Sequence, residues 1–185
     1  MLDVEIIEEI NDGIIYLRKI SLDDSNFVFE TLKNDDVSNF LSLGPLLSQD
    51  HSKRLIKNYL QCWEKKLQFN FIIEIRDGIK KNKKVGSISL WSVSWLHNRA
   101  EIGIWLDSKY WNQSIAKKAL ELIKILAFVH LKLNRIEGHM AIENTKSINL
   151  FKKCSFSDEG TLKQYLYLKG KYHDAKVFSC LNSFL

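Results

Sequence analysis

The chain has 185 residues, with 27 Lys+Arg against 22 Asp+Glu, a formal net charge of +5, and 45% hydrophobic residues. That mix fits one globular domain, residues 1–185, that buries a core without metal or disulfide staples, and it excludes a largely disordered chain. No stretch approaches the ~18 apolar residues of a membrane span, because the most apolar region, Ile115 to Leu133, is broken by Lys117, Lys118, Glu121, Lys124 and Lys132.

The opening Met1-Leu2-Asp3-Val4-Glu5 carries neither a basic nor an apolar leader region, so no secretory signal is expected. Cys62, Cys154 and Cys180 lie far apart, which argues against disulfides and structural zinc and for a reducing cytoplasm. His51, His97, His130, His139 and His173 show no metal-ligand spacing, and no metal is expected. The positive charge is compatible with a phosphate-bearing ligand and equally with a lysine-rich surface.

Residues 4–10 and 14–19 read as strands around the turn signal Asn11-Asp12-Gly13. Asp23 to Asn34 reads as a helix. Ser48 caps a longer one, with Leu55, Ile56, Tyr59, Leu60 and Trp63 at helical spacing. Phe69 to Ile75 and Val85 to Trp95 are strand-like, and between them Asp77 to Lys84 reads as a solvated lysine-rich hairpin tip. It lacks the aromatic interleaving of a nucleic-acid surface, and no direct nucleic-acid binding is expected. In the second strand Ser87, Ser89, Trp91, Val93 and Trp95 share a face by the period of two.

A strand from Ala100 to Asp107 leads into a strong amphipathic helix, about Asn112 to Leu131. Arg135 to Ile142 is a strand, Asn144 caps a helix carrying Ile148, Phe151 and Cys154, and two strands close the chain around Lys169-Gly170-Lys171. Hairpins first and a β-α-β unit in the middle define a mixed α+β sheet with helices on both sides.

The strand-to-helix segment Ala100–Ala119 carries the chemistry. Free amides at a helix start attract phosphate, and those of Ser114 to Lys117 are placed to do so; an ordinary connection with solvated lysines explains the same residues. Its strand reads Ala100-Glu101-Ile102-Gly103-Ile104-Trp105-Leu106 and its turn Tyr110-Trp111-Asn112-Gln113-Ser114-Ile115-Ala116. Further on stand Leu133-Asn134-Arg135-Ile136-Glu137, Asn144-Thr145-Lys146-Ser147, Lys153-Cys154-Ser155-Phe156, Glu159-Gly160-Thr161-Leu162 and Gly170-Lys171-Tyr172-His173-Asp174. In this order and spacing, over about residues 14–183, they resemble the GNAT superfamily of N-acetyltransferases. The nearest branch is the RimJ/RimL-like ribosomal-protein N-terminal acetyltransferases.

The resemblance implies a mixed, mostly antiparallel central sheet of about seven strands flanked by about four helices. It implies acetyl-CoA as co-substrate and direct transfer of acetyl to an amine in a ternary complex. A monomer or a homodimer is expected, since sheet edges at the C-terminus could pair. It assigns acetyl-CoA contacts to Trp105, Leu106, Asn112, Gln113, Ser114, Ile115, Ala116, Lys117, Asn144, Ser147 and Lys153. Backbone N–H groups near Trp105 and Leu106 would hold the oxyanion where the strand splays from the next. Glu101 is the candidate base; its alternative is a structural carboxylate paired with Arg99 or Arg135. His139, Trp91, Trp95 and Trp105 are read either as lining the substrate cleft or as packing groups.

Three departures stand out. Asn112, Ser114 and Ser155 replace family glycines, Lys118 replaces the usual first-turn glutamate, and Phe151 stands where many relatives place a proton-donating tyrosine. Three functional readings follow: transfer to a protein N-terminus, transfer to a small amine such as a polyamine or aminoglycoside, or a non-catalytic acyl-CoA-binding or interaction module.

Overall fold

The computed structural model describes residues 4–76 and 82–183. Met1–Asp3 and the Asp77–Lys81 part of the expected hairpin tip lie outside them. The described residues form one sheet in the order β1-β2-β3-β4-β5-β6-β8-β7. The strands are β1 Glu9–Asn11, β2 Ile15–Lys19, β3 Phe69–Ile75, β4 Lys83–Ser94, β5 Arg99–Leu106, β6 Arg135–Ala141, β7 Ser157–Leu168 and β8 Lys171–Leu181. That is one more than the family count of about seven. Neighbours pair antiparallel throughout except β5 and β6, which are parallel.

The α-helices are α1 Ser25–Leu32, α2 Asp35–Ser38, α3 Gln49–Glu64, α4 Ile115–Ile125 and α5 Thr145–Lys153, and α4 runs on into a π turn, Leu126–His130. Among the described residues this is one more than the expected four, because α2 is a separate single turn after Asn34. Two expected caps are present: Ser48 Oγ accepts the His51 N–H at 3.1 Å, and Asn144 Oδ1 accepts the Ser147 N–H at 3.2 Å.

Alternation along the central strands sends apolar groups to both faces. Phe71 and Ile73 of β3, Leu90 of β4 and Ala100 and Ile102 of β5 share one core with Ala119, Ile123 and Leu126 of the α4 segment. Ile72 of β3 packs with Val28, Leu32 and Ile56 in a second core beneath α1 and α3. At the second core's edge Asp24, fully buried, takes both oxygens to Arg18 (2.8 and 2.9 Å) and one to Lys84 (2.6 Å). Lys84 is therefore not the solvated lysine the sequence led us to expect. It is drawn in because a buried carboxylate needs charge partners.

Two local expectations are corrected. The register of β4 against β5 shifts between Trp91 and Ser94, with Ser92 at φ 50°. This bulge turns Val93 and Trp95 to the α4 side of the sheet, away from the Ser87, Ser89 and Trp91 face. The helix expected from Asn112 begins only at Ile115, because Asn112 and Ser114 hold left-handed backbone at φ 61° and 59°.

Candidate active site

The cleft arises from how β5 leaves β6. Their parallel pairing covers only Arg99↔Arg135, Ala100↔Ile136 and Glu101↔Glu137, whereas β5 stays paired with β4 out to Leu106↔Gly86. From Ile102 onward β5 thus diverges from β6. The Asp107 N–H donates to the Val85 carbonyl across the β4 side. By alternation the Trp105 N–H also turns to β4, and the N–H groups of Ile104 and Leu106 face the opening. The Leu106 carbonyl on that side accepts the Trp111 indole N–H at 3.1 Å. The expected pair of donors near Trp105 and Leu106 thus narrows to Leu106, with Ile104.

Beyond β5, Asp107 caps a 3-10 turn, Ser108–Tyr110, by accepting the Lys109 N–H at 3.1 Å. The Gln113 side chain donates to the Lys109 carbonyl at 2.8 Å and braces the loop. The Lys118 N–H, donating to the Ser114 carbonyl, closes the first turn of α4. The amides of Ile115, Ala116 and Lys117 precede it, and Ser114 supplies no side-chain cap. Ile115 is itself buried and offers only backbone, while Lys117 is exposed. Lys118 pairs with Asp12 at 3.6 Å across a groove of about 470 Å³ that Lys117 and Ser114 also line.

Helix α5 meets this turn at its N-terminus, where the Lys146 ammonium sits 4.0 Å over the Trp111 ring. The Asn144 carbonyl oxygen is engaged in capping, which leaves its NH2 for a ligand. Ser147 is half-buried beside it. Lys153 is exposed at the other end of α5, about 9 Å along the axis from Ser147. Phe151 is a core residue, its ring 4.7 Å from that of Phe156 and pressed on Gly138, where a Cβ would come within 2.5 Å of it.

On the face under α1, Glu101 is mostly buried, and its Oε2 lies 3.0 Å from Nδ1 of His139. The arginines go elsewhere. Arg99 and Arg135 hold Glu137 at 3.1 and 2.6 Å, and Arg135 also grips Glu159 through both terminal nitrogens at 2.7 and 2.5 Å. The Arg135 guanidinium and the Ser179 hydroxyl bring the Glu159 carboxyl down to about 2. The structural alternative for Glu101, a pairing with Arg99 or Arg135, is therefore corrected: parallel register sets Glu137 beside both arginines and leaves Glu101 to His139. The sequence showed the i, i+2 alternation of Arg135, Glu137 and His139 but not the facing strand.

Trp91 is 41% exposed beside Gly103, and Trp105 lies 5.9 Å from Phe27 of α1 on the same face. Trp95 packs against Phe69 on the other face at 6.4 Å and donates to the Lys66 carbonyl. Of the three tryptophans, Trp91 and Trp105 share the face of the sheet that carries Glu101. Among the described residues no three His, Cys, Asp or Glu side chains cluster to hold a metal, and no helix is long and apolar enough to cross a membrane.

A splayed parallel strand pair, an amide-lined turn into a helix and a carboxylate on the splaying strand agree with the acyltransferase of the GNAT type that the sequence resemblance implies. The family model of the acetyltransferase (GNAT) domain matches residues 15–157, and the chain belongs to that family. It is 28% identical over 165 residues to YoaA of Bacillus subtilis, an uncharacterized N-acetyltransferase, covering 89% of this chain and 92% of that protein. It is 25% identical over 167 residues to the spermidine N(1)-acetyltransferase of Vibrio cholerae, covering 90% and 92%. Its fold matches RimL, a ribosomal L7/L12 alpha-N-protein acetyltransferase in complex with coenzyme A, with a TM-score of 0.86, 19% identity and coverage of 95% and 98%.

The chain is thus an acetyl-CoA-dependent N-acetyltransferase. Its residues fit that co-substrate: the turn holds left-handed backbone at Asn112 and Ser114, and three amides open α4 without a side-chain cap.

Proposed function

We propose that the acceptor is a protein N-terminal α-amine of the ribosomal-protein type, acetylated by direct attack in a ternary complex. Acetyl-CoA supplies the acetyl group and a thiolate leaving group. Glu101 takes the proton that the attacking amine loses, directly or through one water. The Leu106 N–H, facing the opening, stabilises negative charge on the thioester oxygen. Ser114 to Lys117 amides hold phosphate, with Asn112 and Gln113 shaping the loop and Lys117 adding charge. The Asn144 NH2 and Ser147 hydroxyl serve the pantetheine arm, and Lys153 meets phosphate.

The observation that carries this reading is the charge balance of the cleft. Glu137 and Glu159 are already committed to Arg99 and Arg135, which leaves Glu101 as the carboxylate open to an acceptor. One carboxylate suits one amine. The further positive charges of a polyamine would find Glu137 and Glu159 already taken by the two arginines. An α-amine, with an ordinary pKa of about 8 against about 10.4 for a lysine side chain, also needs less help to become neutral. The reducing cytoplasm is the proposed setting, consistent with free thiols at Cys62, Cys154 and Cys180.

A second reading, a small cationic amine, is favoured by a groove of about 530 Å³ lined by Phe27, Glu30, Asp35, Asp36 and Asp107. Two of its carboxylates are occupied, Glu30 by Lys33 at 2.7 Å and Asp35 by Lys169 at 2.9 Å. Thiol release at saturating acetyl-CoA, with peptides of varied first residue set against spermidine, separates the two. We expect kcat/KM for the best peptide to exceed that for spermidine by at least about tenfold. The reverse order would transfer the assignment to the small amine.

A further inference from the structure

Glu101 does not meet the opening alone. His139 stands two residues beyond Glu137 on the same face of β6, and only 10% of its side chain is exposed. Its Nδ1 faces Glu101 Oε2 at 3.0 Å, its Nε2 lies 3.9 Å from Glu137 Oε1, and its ring lies 5.0 Å from that of Tyr165 on β7. An imidazole beside an ionised carboxylate must present N–H to it, so this geometry needs the proton on Nδ1. Glu137 is itself fixed by Arg99 and Arg135. The ring is therefore held by the hydrogen bond to Glu101 of β5 and by its contact with Tyr165 of β7, while Glu137 Oε1 stands beyond hydrogen-bond distance.

We propose that His139 is the positioning residue for Glu101. Its Nδ1–H ties down Oε2, which leaves Oε1 as the oxygen that meets the acceptor amine, and the Tyr165 ring packs against the imidazole in that orientation. The inference rests on Glu101 acting as the base in the proposed function. It goes beyond that reading in giving a role to a histidine that binds neither co-substrate nor acceptor.

The test combines kinetics with imidazole 15N NMR of the full chain. His139→Ala removes the donor, whereas His139→Asn keeps an N–H near the Nδ1 position. We expect His139→Ala to lower kcat by about tenfold or more with KM for acetyl-CoA unchanged, and His139→Asn to recover most of the loss. In the wild-type chain the 15N shifts of His139 should report the Nδ1–H tautomer, and Glu101→Gln should abolish that bias. Wild-type kcat in His139→Ala, an equal fall in His139→Asn, or an Nε2–H tautomer in the wild type would overturn the proposal. Full turnover in Glu101→Gln would overturn it together with the base assignment. If the wild-type chain acetylates none of the amines tried, the acceptor reading fails, and the tautomer measurement still decides the role of His139.

Discussion

Asn112 and Ser114, two residues apart, both hold left-handed backbone, at φ 61° and 59°. Ser155, the third position where the family has glycine, does the same at φ 60°. These three positions hold without glycine a backbone conformation that glycine adopts most easily. A side chain in this region costs on the order of 1 kcal/mol, less for Asn. The added Cβ atoms also keep a ligand from the closest backbone approach. We therefore expect Asn112→Gly with Ser114→Gly to tighten acetyl-CoA binding. The gain in native-state comfort is roughly offset by a more flexible unfolded chain, so the melting temperature should change little. Calorimetric titration with acetyl-CoA and free CoA checks this, and weaker binding in the double variant would show that the Asn112 and Ser114 side chains themselves hold the ligand.

Gly86 lies opposite Leu106, where β5 ends. A Cβ there would strike the Trp105 carbonyl oxygen and come within 2.5 Å of Leu106 Cδ2. Gly86→Ala should therefore push the end of β5 aside, at about 1–3 kcal/mol of stability, and weaken acetyl-CoA binding with it. Gly103→Ala is the control, since its Cβ would meet Ser89 Oγ and Trp91 Nε1 at 3.5 and 3.7 Å, ordinary contact distances. It should melt within a few degrees of wild type. Denaturant titration of both variants measures the difference, and equal stability would mean β5 yields at no cost.

How much of this was legible in the sequence follows from range. Strand alternation, the Ser48 and Asn144 caps and the chain-terminal hairpin are local, and all could be read directly. The start of α4 was misplaced because two left-handed residues leave no mark on apolar spacing. The turned face of Val93 and Trp95 was missed because a bulge is set by the partner strand. The Glu101 partner was missed for the same reason: nothing in β5 alone says that His139 sits 38 residues on and 3.0 Å away.

The buried cluster around Asp24 makes a pH prediction. Burial opposes its charge, and bonds from Arg18, Lys84 and the Ser21 amide prevail, bringing its carboxyl down to about 2 from an ordinary 3.8. A folded-state value below the unfolded one adds stability above about pH 4 that is lost as pH falls toward 2. The amount is about 2 kcal/mol. Asp24→Asn leaves Arg18 and Lys84 without that charge and should cost about 3–5 kcal/mol at neutral pH. Melting curves from pH 7 to pH 2 should show the gap between wild type and variant narrowing below pH 4. A constant gap would place the acid sensitivity in other carboxylates.

Glu101→Gln keeps the size of the side chain and removes its basicity. The residue lies on the face opposite the α4 core, and its paired neighbour on β4 is Trp91, so the amide turn is untouched. We expect kcat to fall about 100-fold, the scale of a lost general base, while acetyl-CoA affinity stays within about twofold. A loss seen only in KM for acetyl-CoA would instead mark Glu101 as a support for the strand that carries the Leu106 amide. Unchanged turnover would leave the amine to shed its proton to water, which a terminal α-amine near neutrality does far more readily than a lysine side chain. The acceptor's own pKa would then set the rate, and peptides with progressively less basic first residues would run faster in step.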